Sequence, residues 1–595
     1  MDRQAIVGFV LIAVVLVVWM TINAPPSAGP GTPMDSSSIA SQVAPSYEPK
    51  APVEQNEAPI MQDSLGRFFS GASRGQQKVL IIETDLFVAE ITTKGGLLRK
   101  WDLKEYKTWD KLPVQLIDFD QGGDFSLLFN SSDGKLINTH NLFYRAAFDP
   151  WQHVILKGND SISVDLVLSA SNGGRIVKTL TFKNGSYSFD ASLKFERMDE
   201  VISGFEYQVV WEHGLRYAEQ NSIDESSFAM AYASAGGELA EIDAGGSGEP
   251  LKSNISGTTD WVAARNKYFA VAILPRQKKS EGAYLEGTSR KMPDSGLKES
   301  YYIGLRMPFR AAEVEQASFT VFLGPLDFGI IKSYGAGLDQ IMSLGAAWII
   351  RPISEWVMIP LFQFLRSFIP NYGVVIIIFS LIIKIALHPL SRTSMKSMKR
   401  MQALQPMIEE IREKHKEDPQ KMNKQIMQLY KDYGVNPAGG CLPLLLQLPI
   451  LYALWAVFSS AIELRQASFI WWINDLSIPD IAFTLPFELP IFAVKDMSGL
   501  ALLMGLTMFI QQKMSVKDPR QKMMVWLMPV FLTLLFNSFP AGLNLYYFVF
   551  NLLSIGQQVW INRQHADEPL RKVEEKKKTA GIMNRLAKNL EKIKR

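Results

Sequence analysis

One positively charged residue, Lys384, interrupts an apolar run from Tyr372 to Leu390. Ser380, Lys384 and His388 recur every four residues, so on an α-helix they form one polar stripe on an aliphatic surface. A charge inside a membrane helix is costly unless it faces protein or water, and it is therefore a functional-site hypothesis. The alternative is that the lysine stem extends to the membrane surface, because Lys384 lies nearer one end of the run.

Three kinds of chemistry fit this stripe. A desolvated lysine one helical turn from a serine can act as a general base, which would define an intramembrane hydrolase using Ser380 and Lys384, although no oxyanion hole is evident. An ion-coupled transporter would show repeated halves with discontinuous helices, and the sequence shows no such repeat. The third possibility is a binding site, because a cation in a wet recess lowers the desolvation cost of a polar or acidic segment that enters the recess.

Other motifs in the sequence give little support to catalysis. The stretch Gly71-Ala72-Ser73-Arg74-Gly75 matches the GxSxG pattern of serine hydrolases, but it precedes a predicted strand instead of forming a strand-to-helix turn. The histidines at 140, 153 and 213 lack metal-ligand spacing. We therefore predict no catalytic residue, no cofactor and no metal.

Polar residues on other apolar segments favour the binding site. Stripes that converge from several helices at one depth are typical of a wet recess, whereas isolated polar residues usually join helices. The predicted recess is a groove closed on the outside and open to the cytoplasm and lipid. Its lining residues are Lys384, Ser380, His388, Gln447, Thr507, Gln511, Tyr547, Asn551 and Ser554.

Length and composition indicate several structural units. The chain has 595 residues and a net charge of +3, which is too small to suggest sequence-specific binding of nucleic acid. Its one cysteine, Cys441, excludes an intrachain disulfide. Apolar residues are concentrated near the N-terminus and beyond Trp348.

The first 345 residues are predicted to form an anchor, a tether and a β domain. Residues 1–22 resemble either a signal peptide or an anchor, and we interpret them as a retained transmembrane anchor because the candidate cleavage site is poor. Residues 23–62 are rich in Pro, Ser and Ala and predict a disordered periplasmic tether. Residues 63–345 alternate apolar and polar positions, as in Ile162 to Leu168 and Phe205 to Trp211, which predicts a large periplasmic all-β sandwich.

The remaining sequence predicts a helical membrane core. Residues 346–370 predict an amphipathic helix at the outer membrane surface. Basic residues are dense in 391–438 and in the tail and sparse in 463–497, so the positive-inside rule places both chain termini in the cytoplasm. The predicted segments are TM2 (371–390), a cytoplasmic hairpin (391–438), TM3 (439–462), a periplasmic loop (463–497), TM4 (498–514), a cytoplasmic loop (515–522), TM5 (523–540), TM6 (543–562) and a basic tail (563–595).

The cytoplasmic segment 391–438 shows heptad-like spacing in two runs, separated by the helix-breaking Glu417-Asp418-Pro419. This pattern predicts a helical hairpin. Its methionines suit contact with varied apolar partners and are equally ordinary in a helix core. The predicted seam residues are Met401, Leu404, Ile408, Ile411, Met422 and Ile426.

Several local motifs together resemble the YidC-type membrane protein insertases of bacteria. These are Leu404-Gln405-Pro406, the run from Val435 to Pro443, the run from Ile462 to Ala467, and Phe539-Pro540-Ala541-Gly542-Leu543 with Tyr546-Tyr547. The resemblance covers residues 372 to 563 most strongly. Lys384 occupies a position where many members carry arginine, which keeps the charge but loses the guanidinium fork.

This resemblance implies an inner-membrane insertase and folding chaperone, working alone or with the Sec translocon through a positively charged groove. It also implies that the external domain is a β-supersandwich similar to sugar-binding folds, which does not establish a ligand. The expected partners are newly made membrane proteins. The hairpin, the loop at 515–522 and the basic tail with Lys576 to Lys578 are candidate contacts for ribosome, signal recognition particle or anionic lipid; a merely solvated tail is the alternative.

Overall fold

The computed structural model describes residues 65–245, 248–292, 296–346, 348–435, 442–489, 494–515 and 522–564. These residues divide into two compact units at the Ser343–Leu344 boundary, the first built mainly of strands and the second mainly of helices. The predicted anchor, the predicted tether and the tail from residue 565 onward lie outside the described residues. The same is true of residues 436–441 and 516–521.

The described part of the β unit contains nineteen strands and three short helices, and every strand pair is antiparallel except β1 with β7. The elements in chain order are α1 (Gly66–Phe69), β1 (Val79–Glu83), β2 (Phe87–Thr92), β3 (Leu97–Lys107), β4 (Pro113–Gln115), β5 (Ser126–Ser131), β6 (Leu136–Asn138), β7 (Gln152–Ile155), β8 (Ser161–Ser169), β9 (Arg175–Lys183), β10 (Ser188–Glu196), β11 (Ile202–Trp211), α2 (Ser222–Ser226), β12 (Met230–Ala235), β13 (Glu238–Ile242), β14 (Leu251–Ser256), β15 (Thr259–Arg265), β16 (Phe269–Pro275), β17 (Gly282–Lys291), β18 (Leu297–Pro308), β19 (Val314–Pro325) and α3 (Phe328–Ser333).

These strands form three sheets, with orders β4-β3-β2-β1-β7, β13-β12-β15-β16-β19-β10-β9-β8 and β14-β17-β18-β11-β5-β6. The predicted hairpin turn at Asn184-Gly185 is confirmed, because it joins β9 to β10 and Gly185 has a φ of +75°. The predicted late strand is β19, and its Phe319, Val321 and Leu323 are fully buried. Alternation therefore located β8, β11 and β19.

One prediction of a core-facing residue in the β unit is wrong. The alternation from Phe205 to Trp211 places Phe205 in the core, but its side chain is 72% exposed. A register irregularity between Ser203 and Gln208 interrupts the pairing of β11 with β5, and Phe205 has a φ of +56°. An inserted residue of this kind reverses the side-chain alternation on one side of the bulge.

The helical unit contains ten α-helices and one β-hairpin among its described residues. Its elements are α4 (Ile350–Ile353), α5 (Ile359–Phe368), α6 (Tyr372–Ala386), α7 (His388–Ala403), α8 (Gln405–Lys414), α9 (Pro419–Asp432), α10 (Leu442–Ser460), β20 (Ile481–Leu489), β21 (Val494–Ser498), α11 (Gly499–Ser515), α12 (Lys522–Phe536) and α13 (Ala541–Gln564). The hairpin β20–β21 lies in the segment 463–497, for which the sequence predicted only a loop. Judged by length and hydropathy, none of the described helices is a membrane span by itself; α6 and α7 meet the criterion only as a pair bent by 64°.

The segment 346–370 presents two apolar faces. α4, a π-helical turn at Ser354–Met358 and α5 run through it. The predicted apolar face consists of Ile353, Trp356, Val357, Leu361, Phe364, Leu365 and Phe368. Of these, Trp356, Val357, Phe364 and Phe368 are exposed, whereas Leu365 is buried. Phe362, which was not assigned to that face, is also buried. The segment therefore packs on protein through Leu365 and residues outside the predicted face, most of which is exposed.

Helices α7 to α9 cover most of the predicted hairpin. Leu404 and Ile408 are buried together with Val435, and Met401 and Ile426 pack against this cluster. Tyr433, which follows α9, also contacts the cluster. The other two predicted seam residues are half-buried and lie outside the cluster: Ile411 and Met422.

The core of the β unit contains a lysine whose charge is poorly solvated. Lys178 is fully buried, and its ammonium donates to the carbonyl oxygens of Gly96 at 3.1 Å and Phe125 at 2.8 Å. Burial lowers the pKa of the Lys178 ammonium to about 7. The side chain is therefore half neutral near physiological pH.

The stability of the β unit should rise with pH in a way that depends on Lys178. Between pH 7 and pH 9 the unfolded chain keeps the Lys178 proton while the folded chain loses it, so this residue should add about 2 kcal/mol to the free energy of unfolding. Urea-dependent proteolysis of the full-length protein at both pH values would measure this. Lys178→Met should abolish the increment, and parallel pH curves for wild type and variant would contradict the assignment.

Candidate functional site

Lys384 lies on the protein-facing side of α6. Asn371 begins this helix, since its side-chain oxygen accepts the backbone N–H of Val374 at 3.2 Å. The Lys384 side chain is 7% exposed, whereas the adjacent Ile385 is 64% exposed. Because neighbouring residues on a helix point about 100° apart, the apolar face turns outward and the cation turns towards the other helices.

The Lys384 ammonium has one hydrogen-bond partner among the described residues. It donates to the hydroxyl of Ser554 on α13 at 2.6 Å, and that hydroxyl in turn donates to the carbonyl of Phe550 at 2.8 Å. The ammonium also lies 4.6 Å from the centroid of the Phe550 ring. An ammonium carries three N–H donors, so two remain for water or for a bound group.

No acidic side chain balances this charge in the helices around it. The sequences of α6, α10, α11, α12 and α13 contain no Asp or Glu. A buried charge without an ionic partner is stable only if hydrogen bonds, water or a bound counter-ion compensates for its lost hydration. Lys384 is therefore a cation whose counter-ion is not supplied by its own helix bundle.

Helix α13, which supplies the Ser554 partner of Lys384, also carries unsatisfied polar atoms. α13 packs mainly against α6 and α11. The Tyr546 and Tyr547 hydroxyls, the Asn551 side-chain N–H group and the Gln557 side-chain oxygen are buried, and the described residues offer them no partner. Buried polar groups in native proteins are nearly always hydrogen-bonded to protein or to ordered water. Asn551 and Gln557 lie within one turn of Ser554, as expected of a hydrated recess, whereas Tyr546 and Tyr547 lie about 10–12 Å further along α13.

His388 lies at the bend between α6 and α7. The next residue, Pro389, occupies the first turn of α7, where its missing N–H costs nothing. The Nδ1 atom of His388 is 3.1 Å from the side-chain nitrogen of Gln557. A cavity of about 220 Å³ opens here, lined by Lys384, Ile385, His388, Leu553, Gln557 and Trp560. Two of the three predicted stripe residues, Lys384 on α6 and His388 on α7, thus reach one cavity, although the bend between the helices interrupts the stripe.

Six other predicted groove residues form no hydrogen bond with Lys384 within the described chain: Ser380, Gln447, Thr507, Gln511, Tyr547 and Asn551. Ser380 and Thr507 donate to carbonyls of their own helices, at Ile376 (2.7 Å) and at Met504 (2.8 Å). Gln447 and Gln511 are half-buried, and within the described chain neither they nor Thr507 bonds to Lys384. Since Ser380 and Lys384 each bond elsewhere, they do not form the serine–lysine pair that the hydrolase hypothesis requires.

A second polar cluster, which the sequence analysis missed, closes the opposite end of the bundle. Asp480 is 4% exposed and accepts three hydrogen bonds: from the Ser498 hydroxyl at 2.5 Å, the Leu500 N–H at 2.8 Å and the Trp472 indole at 2.9 Å. Ser498 caps α11 by accepting the N–H of Ala501 at 3.0 Å. Ser498 precedes an apolar run, which is a recognisable signal for the start of a helix. No local sequence pattern links Ser498 to Asp480.

Two asparagines tie this cluster to α12 and α13. Asn537 accepts the N–H of Ser498 at 2.8 Å and donates to the carbonyl of Asp496 at 2.7 Å. Asn544 donates to the carbonyl of Phe536 at 3.1 Å. We call Asp480, Ser498, Asn537 and Asn544 the Asp480 cluster. Asn544 precedes Ser554 by ten residues, or about 15 Å along α13, so the recess and the cluster are separate.

The two units together define a class of protein: a helical bundle that holds an unpaired cation among apolar helices, in the same chain as a large all-β unit. Comparisons with known proteins give this class its family. Residues 364–568 match the family described as 60Kd inner membrane protein, and residues 80–356 match the YidC periplasmic domain family.

The chain is 38% identical to the membrane protein insertase YidC of Chlorobaculum tepidum over 96% of both proteins, and 37% identical to that of Chlorobaculum parvum over 96% of both. A solved structure titled as an active YidC insertase matches with a TM-score of 0.35 at 19% identity, over 82% of this chain and 93% of that one. The chain belongs to the YidC family of membrane protein insertases.

Family membership confirms the predicted fold class, an α-helical membrane core with a large all-β periplasmic domain. The protein is therefore a membrane protein, and its family is named for moving proteins rather than for an enzymatic reaction. The hydrolase and transporter hypotheses are not supported. The groove residues, span boundaries and orientation of the termini remain predictions.

The Asp480 carboxylate should be a major contributor to the stability of the helical unit. Asp480→Ala removes the acceptor of three hydrogen bonds, and bonds to a charged group contribute about 1.5–3 kcal/mol each without being additive, so we expect a loss of about 3 kcal/mol in the free energy of unfolding. Unfolding of the full-length protein in mixed micelles measures this. The control is Asp496→Ala, which removes an exposed carboxylate that, among the described residues, bonds only to Thr484; equal losses would contradict the cluster's role.

Proposed function

We propose that this protein inserts client segments into the inner membrane by offering Lys384 as a temporary counter-ion to an acidic or polar stretch. The observation that carries the proposal is the buried ammonium with one neutral partner, Ser554, and no acidic side chain in the surrounding helices. A site of this kind lacks an anion of its own. A client carboxylate that enters it supplies one.

The free energy of this pairing is large enough to matter for a short tail. Two opposite charges about 4 Å apart in an effective dielectric near 20 attract by about 4 kcal/mol before desolvation is subtracted. Water held by the unsatisfied polar atoms of Tyr547 and Asn551 would reduce the desolvation of the client further. The groove then lowers the free-energy barrier that a polar client stretch meets when it crosses the membrane. The apolar client segment moves into the lipid along α10 and α12.

The direction of client transfer follows from the difference between the two ends of the helix bundle. In the proposed topology, with six spans and both termini in the cytoplasm, the Asp480 cluster lies on the periplasmic side and the Lys384 recess opens towards the cytoplasm. Client hydrophobicity drives the transfer, and the membrane potential assists negatively charged tails. Folding assistance to the inserted segment follows from the same surface, because a partly inserted helix can pack against it.

Other parts of the chain are proposed to bring clients to the groove. The hairpin has one small buried cluster around Leu404 and Ile408, so most of its surface is free for contact with ribosome or signal recognition particle. The basic cytoplasmic segments suit anionic lipid as well. Cooperation with the Sec translocon is proposed from the family resemblance alone.

Replacing Lys384 should affect clients according to the charge of their tails. Lys384→Gln keeps a polar side chain of similar length but removes the charge, so insertion of a single-span client with an acidic tail should fall about tenfold or more while the same client with a neutral tail changes less than about twofold. Protease protection of the tail in inner-membrane vesicles measures insertion. Lys384→Arg should retain most of the activity.

Two controls separate charge attraction from general damage. Lys513→Gln removes an exposed lysine at the end of α11 and should leave both clients unaffected. Ser380→Ala should also leave insertion unchanged, because in the part of the chain that the structure describes the Ser380 hydroxyl bonds only to its own helix. Equal insertion of acidic and neutral tails by Lys384→Gln would exclude the charge-attraction step.

A further inference from the structure

The segment between α10 and α11 exposes large apolar side chains. Its strands β20 and β21 form a two-stranded sheet of their own. Ile481, Phe483 and Phe487 on β20 are 56%, 49% and 59% exposed, and Glu488 is the only charged residue in the sequence of this strand. We call these three residues, together with the preceding Trp471 and Trp472, the Trp471 surface.

Trp471 is held in an exposed position by a strained backbone. Its side chain is 82% exposed, and its φ of +53° lies in the left-handed region that bulky residues rarely adopt. Strain of this kind persists only where the surrounding structure imposes it, and it is concentrated at functional sites. Packing does not explain it here, because the Trp471 ring contributes little to the protein core.

Trp472 provides the support for Trp471. The two rings stack with their centroids 5.8 Å apart. The Trp472 indole donates to Asp480 at 2.9 Å, and a Cβ atom on Gly499 would lie 2.9 Å from the same ring, so Trp472 lies directly against the start of α11. The Trp471 ring is therefore preorganised on the Asp480 cluster.

The Trp471 surface adjoins an exposed aliphatic stripe on α11. Leu502, Leu506 and Ile510 recur every four residues and are 37%, 56% and 40% exposed. Helix α11 contacts both β20 and β21. In a membrane protein, such a stripe is the side of a helix that is expected to face lipid, because acyl chains are as apolar as leucine. The Trp471 surface thus lies at one end of a predicted lipid-facing stripe.

The backbone of β20 indicates how deep this surface can lie. The outer edge of β20 has no strand partner in the part of the chain that the structure describes. Open strand edges do not occur in the hydrocarbon region, because nothing there can bond to their N–H and carbonyl groups. The headgroup region contains water that can, and tryptophan is enriched at this depth. Side chains and backbone therefore favour the same layer.

We propose that the Trp471 surface binds the lipid headgroup region on the side of the membrane where the Asp480 cluster lies, and that it fixes the depth of α11. Continuity with the α11 stripe favours lipid over a partner protein, because one bilayer then covers both surfaces. This inference goes beyond the proposed function, since it requires no client and does not involve Lys384.

The test measures the depth of single sites in the full-length protein. Cysteines replace Phe487 or Lys495 in a Cys441→Ser background, carry a nitrobenzoxadiazole fluorophore, and are compared in vesicles of phosphatidylcholine and phosphatidylglycerol. Lys495 is the control, because it is an exposed charged residue of the same hairpin. Lipid with a doxyl group near its headgroup should quench the label at 487 at least about threefold more than the label at 495. A doxyl group at the end of the acyl chain should quench position 487 less.

A second variant tests the role of Trp471 itself. Trp471→Gly removes the ring and relieves the backbone strain, so lipid quenching at 487 should fall about twofold or more while the urea midpoint of the protein does not fall. Trp109→Ala, which removes an exposed tryptophan of the β unit, should change neither.

Three results would overturn this assignment. Equal lipid quenching at 487 and 495 would leave the surface free for a protein partner. Stronger quenching from the end of the acyl chain would place the hairpin in the hydrocarbon region. A lower urea midpoint or unchanged quenching in Trp471→Gly would show that Trp471 serves packing and not lipid contact.

Discussion

The hydrogen bond from the buried ammonium of Lys384 to the hydroxyl of Ser554 is the interaction on which the proposed function of the helical unit depends. It is a weak compensation for a charge that has left bulk water, because a neutral hydroxyl and the face of Phe550 replace only part of the lost hydration. The bundle therefore stabilises the cation only when water or an anion occupies the remaining space. An acidic partner within the bundle would stabilise the Lys384 charge. It would also occupy the position that the proposed client carboxylate needs.

The rest of the bundle can be understood as support for that incomplete site. α6 holds the lysine with its apolar side outward, and α13 supplies the facing polar stripe. The Asp480 cluster joins the ends of α11, α12 and α13 through a carboxylate that accepts three hydrogen bonds, although the Asn544 side-chain oxygen in the same cluster has no partner among the described residues. Near Ser554, the unsatisfied side-chain atoms of Asn551 and Gln557 leave hydrogen-bonding capacity for water or a bound group.

Local periodicity predicted much of this structure, and long-range pairing accounts for what it missed. Strand alternation located β8 and β19, and four-residue spacing singled out Lys384, because both patterns follow from backbone geometry alone. The spacing assumed one continuous helix, whereas α6 ends at Ala386 and the 64° bend places His388 on α7. Phe205 was misplaced because a single bulge reverses alternation without leaving a mark in the sequence. The partner of Lys384 and the network of Asp480 depend on residues 170 and 18 positions away, which no local pattern specifies.

Solvent access to the recess tests the central claim most directly. Cys441 is the only native cysteine, so a Cys441→Ser background allows single cysteines to be placed at Asn551, beside the intact lysine, and at Ile385, on the exposed apolar face. A charged, membrane-impermeant thiol reagent applied from the cytoplasmic side should modify position 551 much faster than position 385. If position 551 stays unmodified, or reacts no faster than position 385, the recess is dry and Lys384 cannot receive a client's charge from water.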